Sequence, residues 1–191
     1  MATRADESRM TLAEFLRWND GTDARYELVD GRIVSMAPPN DAHGTIVANI
    51  GAEIGSRLRP PGRVAAKPGI VRPHRDSYYV ADLGVTRGPA ADTRQHLPEP
   101  VLIVEVLSPS TEDHDRGRKV PDYREIPSLQ EILVVASQER RVELWRREGD
   151  HWRVDDLIGE TTVRLESCDA SIPLAAIYAH VDLAGSDRQA S

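Results

Sequence analysis

Val101-Leu102-Ile103-Val104-Glu105-Val106-Leu107 is the stretch on which the fold of this chain turns. It is the most apolar run in the sequence, bounded by Pro100 on one side and Ser108-Pro109-Ser110 on the other. β-favouring residues between breakers read as a strand. A carboxylate inside such a strand costs several kcal/mol in lost hydration unless a partner compensates it. Something must therefore bind at Glu105, or the strand must end beside solvent.

Working outward, the neighbouring segments supply a mixed architecture. Thr11 followed three residues later by Glu14 is a capping-box pattern that opens a short helix through Met10 to Trp18. Asp30-Gly31 between two β-favouring runs predicts a tight hairpin over residues 25–36. Ile46, Val47, Ile50, Ile54 and Leu58 recur at helical spacing and predict a longer helix over 43–58. Strands are expected over 63–71 and 78–85, then the strand holding Glu105, then a polar helix over 112–125 interrupted by Pro121. Short strands near 131–136, 141–145, 151–154 and 163–165 follow, with a last helical turn near 174–178. The pattern is that of an α/β protein with a central mixed sheet flanked by helices. One domain is expected over residues 11–181, with flexible ends at 1–10 and 182–191.

Asp82, in Tyr78-Tyr79-Val80-Ala81-Asp82-Leu83-Gly84-Val85, is a second acid on an apolar strand. Alternation puts it on the face of Tyr78, Val80 and Gly84, and puts Glu105 on the face of Ile103 and Leu107. If those strands are neighbours and the faces coincide, the two carboxylates meet and need a cation between them. Hard oxygen ligands of this kind suit Mg²⁺ or Mn²⁺, which activate water for displacement at a phosphodiester.

Composition narrows the classes further. The 191 residues carry a net charge of −7, which argues against indiscriminate coating of nucleic acid. No run approaches the ~20 apolar residues of a membrane helix. Met1 to Met10 carries Arg4, Asp6, Glu7 and Arg9 and does not read as a secretory signal. The single cysteine, Cys168, fits a reducing cytoplasm and reads as an inert thiol. From Arg57 to Arg75 there are six cations and no acid, either a DNA-facing strip or a solvated helix end and strand. Only two of the 24 cations are lysines, Lys67 and Lys119. A lysine kept among arginines is either chance or a position that needs a compact, tunable ammonium.

Five segments resemble the Uma-type putative restriction endonuclease family of the PD-(D/E)XK nuclease superfamily. They are Tyr26-Glu27-Leu28-Val29-Asp30-Gly31-Arg32-Ile33-Val34, Tyr79-Val80-Ala81-Asp82-Leu83, Val104-Glu105-Val106-Leu107-Ser108-Pro109-Ser110-Thr111, Asp115-Arg116-Gly117-Arg118-Lys119 and Tyr123 to Glu131. The likeness runs in order from about Thr11 to Val181. It implies a restriction-endonuclease-like core with an N-terminal helix and β-hairpin, and Mg²⁺-dependent hydrolysis of DNA.

Carried over by position, Asp82 and Glu105 resemble the metal-binding acids, and Glu27 matches the family's early glutamate, which implies a third acid completing the metal site. Glu27 read from its neighbours alone is equally a salt-bridge partner of Arg25 or Arg32. The superfamily's usual lysine position, two after the glutamate, is Leu107 here, and the resemblance places that function on Lys119. Tyr123, one helical turn on, would share its face. Ala81 stands where the family has proline before the motif aspartate. Pro121 could misdirect Lys119, and His43 reads chiefly as a helix cap or surface contact. The resemblance implies a DNA endonuclease, and cutting both strands with one site per chain would favour a homodimer. The alternative is a nuclease-like module that binds DNA or protein without cutting.

Overall fold

The computed structural model describes residues 9–108 and 115–183. The expected flexible ends fall largely on 1–8 and 184–191, outside the described residues, as do Pro109, Ser110 and Thr111 of the motif. Thr11 and Glu14 form the expected capping box, at the head of a helix shorter than its pattern suggested, α1 (Leu12–Phe15). Asp30 and Gly31 take the positive φ angles, 47° and 81°, that the hairpin of β1 (Tyr26–Val29) and β2 (Arg32–Ser35) requires. α2 (Asp41–Gly55) is capped by Asn40, whose side chain accepts from the His43 N–H.

The next two expected strands are each two. Residues 63–71 divide into β3 (Arg63–Ala66) and β4 (Gly69–Val71), and 78–85 into β5 (Tyr78–Val80) and β6 (Leu83–Thr86). β3 pairs with β6 and β4 with β5, so this is one long hairpin that bends between two sheets. The bend has a local cause. Pro68 has no N–H to give a ladder, and Lys67 takes a left-handed φ of 48°. Two backbone bonds span the break, Lys67 N to Asp82 O and Ala81 N to Pro68 O.

β7 (Pro100–Leu107) is buried along its full length. A π-helical turn, Asp115–Lys119, runs into α3 (Val120–Tyr123). β8 (Glu131–Ala136), β9 (Arg141–Glu148) and β10 (His151–Ile158) follow, then β11 (Thr162–Leu165), β12 (Ala170–Pro173) and α4 (Leu174–Ile177). The central sheet has the order β10-β9-β8-β7-β6-β3, and a second sheet the order β2-β1-β5-β4. Only β7 and β8 among the neighbours of the central sheet run parallel. Parallel neighbours need a crossover, and the segment carrying Lys119 and Tyr123 lies within it.

Both faces of β7 are covered. Ile46, Ile50 and Ile54 of α2 pack with Leu83, Val85, Val104 and Val106 on one side. Tyr79, Ala81, Ile103, Leu107, Tyr123 and Leu129 pack together on the other. Tyr79 and Ala81 thus share a core that Leu83 and Val85 do not, because alternation slips at the bend. Pro121 does not throw the crossover off course. It falls in the first turn of α3, where a missing N–H leaves no bond unmade, and the wider π turn absorbs the change of pitch.

Candidate active site

Glu105 lies near the C-terminal end of β7 with 2% of its surface exposed. Its Oε1 accepts from the Tyr123 hydroxyl at 2.6 Å and stands 3.5 Å from Lys119 Nζ. That ammonium is 2.9 Å from Glu27 Oε1 and 3.1 Å from Asp115 Oδ1, and it also reaches the Val80 carbonyl at 3.4 Å. Glu27 is held in turn by the Val80 N–H at 2.9 Å. Three buried carboxylates share one ammonium.

Asp82 is opposite Glu105. Asp82 falls at the bend just before β6, and since the β6–β7 register pairs Leu83 with Val104, one step further sets it across from Glu105, beside which it lines the same cleft. Asp82 Oδ2 accepts from the Val106 N–H at 2.7 Å and stands 3.2 Å from His43 Nε2. Oδ1 is paired with Lys67 Nζ. These groups line a cleft of about 320 Å³ that also takes in Asn40 and Ser108.

The charges are unevenly served. Burial pushes the Glu105 carboxyl up to about 8; Lys119 and the Tyr123 hydroxyl pull it down, while Asp82 and Asp115 add to the rise. For Lys119, burial works against the charged form, but Glu105, Glu27 and Asp115 outweigh it and hold the ammonium above its ordinary range. Burial would also raise Asp82, yet the contacts with His43 and Lys67 keep it below the usual carboxylate range. Tyr123 is driven well above its ordinary value by burial and by Glu105, so it stays a hydroxyl donor.

The site therefore brings together Asp82, Glu105, Glu27, Lys119 and Tyr123. Several expectations change. Glu27 is ion-paired to Lys119 across the fold, because β1 turns it inward, where it is 3% exposed. His43 is neither cap nor surface contact: Asn40 caps α2, and His43 is buried against Asp82 with its Nδ1 unpartnered among the described residues. The cations from Arg57 to Arg75 do not form one face. Arg72 is buried against Asp122 at 3.0 Å and Glu125 at 2.7 Å, Arg57 pairs with Glu53, and Lys67 belongs to the cleft. Cys168 is buried, and burial pushes its thiol up to about 11, as an inert thiol requires.

Asp115 joins the site through a signal that the sequence carries. It stands four residues before Lys119, the spacing that puts an acid and a base on one helical face. Lys67 stood out only for its rarity, since Pro68 marks a break in the strand but not the partner, Asp82, to which that break delivers the lysine.

The donor set suits a hard divalent cation. Two carboxylates facing one cleft offer oxygen, and Glu105 is raised by burial, and further by Asp82 and Asp115, more than Lys119 and Tyr123 lower it. Among the described residues no three His, Cys, Asp or Glu groups form a ready metal cage. An ion here would be held by one or two carboxylates with water and substrate oxygens for the rest, which is how Mg²⁺ is commonly bound.

Residues 12–172 match the family Uma2, described as "Putative restriction endonuclease". The chain belongs to the Uma2 family. This Uma2 member is 29% identical to uncharacterized protein slr1290 of Synechocystis, over 89% of its length and 92% of the relative's. It is 30% identical to uncharacterized protein sll1609 of the same organism, over 79% and 89% of the two chains. Its fold is similar to that of a putative nuclease belonging to DUF820 from Anabaena variabilis, with a TM-score of 0.71 at 19% identity over 88% and 97% of the chains. No helix among the described residues of this Uma2 chain is long and apolar enough to cross a membrane.

Proposed function

We propose that this protein is a divalent-metal-dependent endonuclease that hydrolyses phosphodiester bonds in DNA. The observation that carries this reading is the meeting of Asp82, at the bend before β6, and Glu105 of β7 in one open cleft, with an ammonium 3.5 Å from Glu105. Membership of a family described as putative restriction endonucleases supports it.

Asp82 and Glu105 would hold Mg²⁺, or Mn²⁺. The bound ion supplies an activated water and positive charge against the charge that develops on the phosphate. Lys119 is fixed where its ammonium can orient a water lodged beside Glu105 and offset charge on the scissile group. Glu27 and Asp115 set the position of that ammonium, Glu27 also standing beside the metal acids, and Tyr123 sets the orientation of Glu105. With one such site per chain, a double-strand cut favours a homodimer.

Purified protein incubated with supercoiled plasmid and Mg²⁺ or Mn²⁺ is expected to yield nicked circles, and Asp82→Ala or Glu105→Ala to abolish them. Nicking that survives both substitutions would remove these acids from the chemistry. A chain that neither nicks DNA nor binds Mn²⁺ would instead be a nuclease-like module without catalysis.

A further inference from the structure

The chain has two lysines, and both stand in the same cleft. Their surroundings differ. Lys119, with 6% of its side chain exposed, has four oxygen acceptors around it, more than its three N–H bonds can serve. It is a fixed counter-charge. Lys67 has 27% of its side chain exposed and, among the described residues, is paired with one carboxylate, that of Asp82.

Asp82 divides its oxygens accordingly. Oδ2 is occupied by the Val106 N–H and His43, both on rigid elements, whereas Oδ1 is paired with Lys67. The oxygen that a metal ion could take most readily is the one Lys67 covers. Lys67 also holds its position at a backbone φ of 48°, which side chains rarely adopt, secured by its N–H on the Asp82 carbonyl. An arginine there could grip both oxygens of one carboxylate with its planar fork, while an ammonium makes a single-point contact and lets go.

Resting on the metal-site reading above, we infer that Lys67 is an exchangeable cation: it covers Asp82 Oδ1 in the metal-free protein, yields that oxygen to a divalent ion, and then pairs with a phosphate oxygen of the substrate. Two positive charges cannot share one oxygen without repulsion, so Lys67 must leave when the ion arrives. Its exposure at the cleft mouth gives the released ammonium room to meet an incoming phosphodiester. Lys119, held by three carboxylates, stays in place beside Glu105 and cannot travel to meet the phosphodiester.

The test is Mn²⁺ binding by titration calorimetry on the full chain, without DNA, for wild type, Lys67→Met, Lys67→Arg and Asp82→Asn. Lys67→Met should bind Mn²⁺ at least about fivefold more tightly and Lys67→Arg more weakly, while Asp82→Asn should lose binding. With Ca²⁺ present, Lys67→Met should also bind a short DNA duplex several-fold more weakly by fluorescence anisotropy, and without Ca²⁺ it should match wild type. Because the Met and Arg variants shift affinity in opposite directions, a general loss of folding cannot imitate the result. If Asp82→Asn loses Mn²⁺ binding while Met and Arg at position 67 leave it unchanged, the exchange is wrong and the metal site stands. If Asp82→Asn keeps wild-type affinity, the metal site itself is misplaced and the role of Lys67 falls with it.

Discussion

Glu105 and Glu131 are buried carboxylates on the neighbouring strands β7 and β8, exposed by 2% and 1%. Glu131 is saturated: it accepts from Arg146 Nε at 2.9 Å, from the Ser167 N–H and hydroxyl at 2.9 and 2.6 Å, and from the Glu166 N–H at 3.2 Å. It fastens the 3₁₀ turn at Glu166–Cys168 to the central sheet. Among the described residues, Glu105 has one hydroxyl donor and a share of an ammonium that two other acids hold more closely. A carboxylate that serves the fold is met on every side, and one that serves chemistry keeps unmet charge facing a cleft.

That contrast can be broken at either acid. The largest effect expected is on catalysis. Glu105→Gln should lower plasmid nicking about a thousandfold, roughly 4 kcal/mol of transition-state stabilisation, since the amide cannot hold a cation. Next is Glu131→Ala, which takes the acceptor from the buried Ser167 N–H and hydroxyl and from one side of Arg146, whose other contacts are Glu166 and the Arg164 carbonyl. It should lower the free energy of unfolding in urea by about 3 kcal/mol, and cutting should fall only with the folded fraction. If Glu131→Ala proved harmless to stability while Glu105→Ala unfolded the chain, the assignment of the two acids would be reversed.

Smaller effects sharpen the difference. The metal-free protein should be stabilised by Glu105→Gln at pH 8, because an amide carries no charge to desolvate. Its pH dependence has a definite sign. In the folded chain the Glu105 carboxyl is pushed up to about 8, well above the ordinary carboxylate range. Between about pH 5 and 8 the folded state therefore holds a proton that the unfolded chain has released. Stability should fall as pH rises through that window, by at most about 1.4 kcal/mol per unit, and level off above it. Asp82, held low, loses its contribution only at more acid pH, so the gap between wild type and Glu105→Gln isolates Glu105. Urea midpoints measured at pH 5 to 9 without metal would show it, and parallel curves for the two proteins would contradict the raised carboxyl. The least change is expected for Tyr123→Phe, which removes one donor to Glu105 and should cost about 1 kcal/mol of stability above pH 8.

Much of this was readable before any coordinates. Glu105 announced itself because an acid in an apolar strand violates the local pattern, and Asp30-Gly31 and Thr11 with Glu14 specified their turn and cap through short-range stereochemistry alone. The helical spacing of Ile46, Ile50 and Ile54 named a face that does pack on the sheet. The two broken strands were not readable in the same way. Residues 63–71 and 78–85 are each extended on both sides of the bend, and what divides them is which sheet each half joins.

The same limit explains the site. Sequence by itself determined which acids are out of place, that Asp82 and Glu105 would share a face if their strands met, and that Lys119 follows at a distance a crossover can close. Those are consequences of periodicity and of the cost of burying charge, and both are local. Only the tertiary structure decided the partners. The bend at Lys67 and Pro68 carries an exposed ammonium to Asp82, β1 turns Glu27 onto Lys119 and away from its arginine neighbours, and α2 brings His43 inward. Each of these contacts joins residues distant in the chain, and its energy depends on a dry interior that exists only once both sheets are assembled.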